Sequence, residues 1–100
     1  MEKSNGNSGR VFYAQDAKVT YTQIHAGQLP NEFVVTLKTS KGLVSTILQS
    51  NCIDQQNKTI NVVVISQDND QYLVDLSADT FISGSKAWFP KDSVLVHAER

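Results

Sequence analysis

The sequence predicts an all-β fold, either a small, partly open barrel or a compact sandwich of antiparallel strands. Three observations carry that expectation. Apolar residues recur with a two-residue period between turn signals, no window holds a sustained helical stripe, and the apolar runs are short and closely spaced. Closing or stacking such a sheet is how a chain of this kind covers its strand edges. One hundred residues supply one domain with one core, without metal or disulfide staples.

The opening MEKSNGNSGR is polar and glycine-containing, so residues 1–9 read as a disordered tail ahead of a single domain over residues 10–100. VFYAQ (11–15) and KVTYTQI (18–24) are the first two expected strands, separated at Asp16, and HAGQLPNE (25–32) is a polar loop. EFVVTLKT (32–39) puts Phe33, Val35 and Leu37 on one face and Val34, Thr36 and Lys38 on the other. Ser40-Lys41-Gly42 then turns the chain into LVSTILQ (43–49), with Gly42 supplying the positive φ that hairpin turns favour. After SNCIDQQNK come TINVVVIS (59–66), a QDND turn, QYLVDLS (71–77), the longer loop ADTFISGS, KAWFPK (86–91) and VLVHA (94–98). Eight strands are expected in all.

Two stretches of the chain echo each other. Phe33, Val35 and Leu37 fall opposite Tyr72, Val74 and Leu76, and residues 47–53 fall opposite residues 88–94. Each stretch reads strand, hairpin loop, strand, tight polar turn, apolar anchor, which gives two similar hairpin halves. In the second, Pro90 removes a backbone donor and should end its strand, and Asp92 and Ser93 are expected to offer side-chain oxygens to the amides of the turn. A strand ending in Trp88-Phe89-Pro90, one short turn and a last strand from Ser93-Val94-Leu95 resembles the closing segment of Src-homology-3-like barrels, where a helical turn separates the final two strands. The resemblance covers about a quarter of the chain. It implies a small barrel and, by analogy with signalling members of that group, Trp88 and Tyr72 as the positions for contact with a peptide. The adjacent tyrosines and acidic loop that such a groove uses are missing here, and fold likeness alone licenses no function.

INVVVI (60–65) is uncharged, proline-free and high in β propensity, so it is expected as a central strand rather than an exposed edge. Ile60, Val62 and Val64 take one face, and Val63 and Ile65 the other, so both faces want cover. Either the chain's own segments lie over it, TFISGS or the first strand, or a second copy does; a homodimer around Val63 is one expectation.

The chemistry offered by the sequence is sparse. His25 and His97 have no partner at metal-ligand spacing, and Asp68-Asn69-Asp70 lacks the glycine and bidentate acid of a calcium loop. No phosphate-binding glycine loop, nucleophile elbow or carboxylate pair occurs. The expectation is therefore no enzyme, no metal and no cofactor, with a site assembled from Asp75, His97 and Ser93 as the catalytic alternative. Nine basic and ten acidic residues leave a net charge of -1, which steers the chain toward neither polyanions nor polycations. The lone Cys52, and the absence of an apolar leader behind the first residues, suggest a reducing, cytoplasmic setting with no membrane partner. What remains is non-catalytic recognition of another macromolecule, an unidentified protein first, through Tyr72, Trp88 and Phe89 as apolar anchors and Lys41, Lys86 and Lys91 as a polar rim. The alternative is a small nucleic-acid-binding barrel that uses the same lysines and aromatics as a stacking platform.

Overall fold

The computed structural model describes residues 13–76, 78, 80 and 84–96. The tail expected over residues 1–9, the start of the first expected strand, part of the loop after Leu76, and His97 lie outside the described residues.

Among the described residues the strands are β1 (Gln15–Ala26), β2 (Glu32–Thr39), β3 (Gly42–Gln49), β4 (Ile53–Asp54), β5 (Thr59–Asp68), β6 (Gln71–Asp75), β7 (Lys86–Pro90) and β8 (Val94–Val96). They form one curled, half-barrel sheet of eight antiparallel strands. Its order is β3-β2-β1-β5-β6-β7, with β4 added to β5 and β8 added to β1. No described helix is long and apolar enough to cross a membrane. The all-β expectation holds, with two differences in detail. The two strands expected on either side of Asp16 are one strand, because Asp16 lies on the outward side of the pleat, opposite Val63, where a carboxylate stays in water. The pair Ile53–Asp54 is a strand too, made by the register Ile53 to Ile60.

β1 serves two neighbourhoods. Its first half pairs with β5 and β8, its second with β2, and a bulge between Tyr21 and Gln23 marks the change. INVVVI lies in β5, flanked by β1 and β6, as a strand of that composition requires. Ile60, Val62 and Val64 point into the core with Val19, Val35, Leu37, Val74, Leu76 and Phe89. Val63, on the outer face, is half-buried by the chain itself; Ile65, expected on the same face, falls in the register irregularity between Val64 and Ser66, where the two-residue alternation breaks. Two carboxylates flank Val63 in register, Asp16 on β1 and Asp75 on β6.

The two hairpin halves are real at the level of register. One constant shift along the sequence carries Val19 onto Ile60, Ser50–Cys52 onto Lys91–Ser93, and Ile53 onto Val94; both triplets are 3-10 turns. Ile53 pairs with Ile60, Val94 pairs with Val19, and Val19 and Ile60 pair with each other. A local two-fold axis therefore passes through the Val19–Ile60 pair, and an apolar row runs abreast across β4, β5, β1 and β8.

The hairpins meet at the two ends of the sheet. At one point the Ser40 N–H donates to the Trp88 carbonyl at 2.8 Å, and at another Thr46 forms an isolated antiparallel bridge with Thr80. The edge strands β3 and β7 thus face each other across a seam pinned by loop contacts. The tight β2–β3 turn is set by Gly42 at φ 116°, as its residue type predicts, and by Thr39, whose Oγ1 accepts the Lys41 N–H at 3.1 Å and donates to the Gly42 carbonyl at 2.7 Å. Pro90 ends β7, an edge strand where its missing donor breaks no ladder. The turn after it is held the opposite way from expectation. No side chain caps its amides; instead the Ser93 hydroxyl donates to the Pro90 carbonyl at 2.9 Å.

Candidate functional site

β7 decides the roles of the adjacent aromatics. Phe89 is in register with Tyr72, and Trp88 with Leu73, so the pairs lie on opposite faces of the β6–β7 ribbon. Phe89 is 1% exposed and belongs to the core, which withdraws it as a contact residue. Trp88 is half-buried on the outer face. The inward position of Phe89 matches that of Leu48, its counterpart in the first hairpin, just as Trp88 matches the outward Ile47.

Tyr72 packs its ring against the rim of the core, on the other face from Trp88. The Lys91 ammonium sits 5.1 Å from its centroid and donates to Gln67 Oε1 at 3.0 Å. Tyr72 and Lys91 therefore satisfy each other at one end of the sheet, away from Trp88. A shared stacking platform of both aromatics is not formed.

The structure does gather three of the six candidates. Lys41 from the β2–β3 turn and Lys86 and Trp88 from β7 line one cleft of about 300 Å³ at the seam, with Thr39, Leu43, Val44 and Ala87. Its wall is apolar and its two charged lining groups are both cations. Two carboxylates stand close by but outside the lining: Asp75, in register with Lys86, and Asp70, which lines a separate recess with Lys41. Thr39, Leu43, Val44 and Ala87 are the cleft residues that sequence reading missed, and Leu43, 60% exposed, is the most accessible apolar one. Alternation places Leu43 outside the core, but only the meeting of the two hairpins gives it Trp88 as a neighbour. Lys38 lines a different recess, with Thr22, Pro90 and Ser93.

The backbone contributes to the same cleft. In an antiparallel strand the N–H and C=O of one residue point to the same side. Since the Trp88 carbonyl meets Ser40 across the seam, the Trp88 amide and, two residues back, the Lys86 amide and carbonyl also face it.

Of the residues of the catalytic alternative, only Asp75 and Ser93 are described, and no described cleft holds both. Asp75 lies beside Lys86 and Val63, Ser93 is bonded to the Pro90 carbonyl, and His97 is outside the described residues. Away from the cleft, Asp54 has a carboxyl held below the ordinary range, first by the Asn57 side-chain amide at 2.7 Å and then by the Asn57 backbone N–H at 3.1 Å, in the turn that leads into β5. No family model, curated protein or solved structure matches the chain.

Proposed function

We propose that the protein is a non-catalytic recognition module, built on a barrel of Src-homology-3-like form, that binds a protein partner at the seam cleft. The observation that carries this reading is the convergence of Trp88, Lys41 and Lys86, from two hairpins distant in sequence, on one apolar recess. An aromatic anchor in a pocket with a charged rim is the usual anatomy of a binding hot spot. The helical turn Lys91–Ser93 between the last two strands supports the barrel resemblance.

Two features favour a protein over nucleic acid. A single-strand platform stacks successive bases on several exposed rings, whereas here Trp88 and Tyr72 lie on opposite faces. Carboxylates also accompany the lysines, Asp75 beside Lys86 and Asp70 near Lys41, which would break a backbone track for phosphates. We place recognition at the seam and not at Val63, because a two-fold contact there would bring Asp16 and Asp75 against their own copies.

Affinity capture from a lysate, with and without nuclease, tests the reading. Capture of a stoichiometric protein that survives nuclease and is lost with Trp88→Ala supports it, and retention only of nuclease-sensitive material overturns it. Light scattering at high concentration separates the self-association route: a dimer that persists in Trp88→Ala and dissociates in Val63→Arg would move the interface to the outer face.

A further inference from the structure

Resting on the reading of the seam cleft as the recognition site, we infer the chemistry of its occupant: a short extended peptide segment in which an apolar side chain is flanked by carboxylates. The shape argues for the apolar group. Leu43, Val44, Ala87 and Trp88 provide an oily recess of about 300 Å³, a size at the lower end for ligand pockets and suited to one or two side chains. The rim argues for the acids. Lys41 stands on one bank and Lys86 on the other; Asp75 beside Lys86 and Asp70 near Lys41 lie outside the lining, so the cations offer two separate points for single carboxylates rather than a continuous anionic track.

The backbone argues for an extended segment. The seam edge of β7 presents the amides of Lys86 and Trp88 and the Lys86 carbonyl, the pattern by which a sheet edge accepts an added strand. The segment must be short, because the Ser40–Trp88 hydrogen bond and the Thr46–Thr80 bridge already join the two hairpins. A long strand would have to break those contacts.

The test is selection of random peptides displayed on phage against the intact protein, with the indole N–H of Trp88, the only tryptophan, as a site-specific NMR probe. Selected peptides should be rich in Asp or Glu next to an apolar residue and should shift the Trp88 indole signal. Their affinity should fall about two- to fivefold for Lys41→Ala or Lys86→Ala, the range of an exposed ion pair, and further for the corresponding Glu variants. It should fall at least about tenfold for Trp88→Ala, as expected of an anchor. Peptides that shift Trp88 but lack acids, or that bind the lysine variants unchanged, would overturn the inferred chemistry and leave the cleft as the recognition site. Peptides that bind without moving Trp88 would overturn both. A labelled oligothymidine run alongside decides the remaining class: if it shifts the Trp88 signal and competes with the peptides, the acidic-peptide assignment falls.

Discussion

Truncating Phe89 and Trp88 one at a time tests the inside–outside assignment on which the site rests. Phe89 is 1% exposed and packs in the core with Leu37, Val74 and Leu76. Its replacement by alanine forfeits about 2 kcal/mol of transfer free energy for the buried ring, and the sealed void adds about 1–2 kcal/mol at the measured cost per unit volume of cavity. The expected loss is therefore about 3–4 kcal/mol, a large share of the roughly 5–15 kcal/mol that holds a domain folded. Trp88 has the larger ring, yet the space it would leave opens into the seam cleft and fills with water. Only the transfer term applies, and only to the covered part of the side chain, so Trp88→Ala should cost about 1–2 kcal/mol. Urea unfolding followed by far-ultraviolet circular dichroism measures both variants without relying on the indole. The slope should stay constant while the midpoint drops more for Phe89→Ala. If Trp88→Ala proves as damaging as Phe89→Ala, Trp88 is a core residue and the recognition site is lost.

Other side chains give sharp expectations of their own. Thr59 Oγ1 is buried without a hydrogen-bond partner among the described residues, so Thr59→Val, which keeps the shape and removes the orphan hydroxyl, should stabilise the protein by about 1 kcal/mol and raise its melting temperature by about 4–8 °C. Thr39→Val should do the reverse, because Thr39 Oγ1 accepts from Lys41 and donates to Gly42; a loss of about 1–3 kcal/mol is expected, together with a looser Lys41 visible as weaker amide protection. Gly42→Ala should destabilise by about 1–2 kcal/mol through its φ of 116° alone, since nothing lies within 4 Å of the added Cβ. The depressed titration of Asp54 adds stability that is complete above the unfolded value of about 3.9 and vanishes as pH falls through the lower folded value. Asn57→Ala should move the Asp54 carboxyl back toward its ordinary range in an NMR titration and shrink that acid dependence.

Much of the sheet was legible because its physics is local. The β2–β3 hairpin follows from strict alternation and one glycine, and the central place of β5 follows from a composition that no exposed edge tolerates. The pattern echo that aligns Leu48 with Phe89 names the strand equivalences before any pairing is known. What escaped is what pairing alone creates. Asp16 looked like a break until Val63 stood opposite it, and Ile53–Asp54 is a strand only because Ile60 is its partner. Alternation shows that Trp88 and Phe89 point apart, but which of them enters the core depends on the face that Tyr72 and Val74 turn inward. The cleft is the extreme case, for Lys41 and Lys86 are brought to one recess by the curl of the whole sheet.

The near-symmetry of the chain sharpens the reading of that cleft. The shift that carries Ile53 onto Val94 also carries Ser45 onto Lys86 and Ile47 onto Trp88, so the fold offers two equivalent outward positions at its two edges. Their inward neighbours pack alike, since Leu48 and Phe89 are buried to a similar extent, but the outward residues do not: Ser45 is half-buried and hydrogen-bonded to Thr36 whereas Lys86 is exposed, and Ile47 is 42% exposed whereas Trp88 is half-buried. The outward residues differ sharply: serine and isoleucine on β3, lysine and tryptophan on β7. The hairpin loops diverge as well, a tight turn bearing Lys41 facing β7 and a longer connection through Thr80 facing β3. The concentration of aromatic and cationic side chains at one of two register-equivalent places is what the proposed recognition of a partner at the seam between Trp88 and Lys41 would account for.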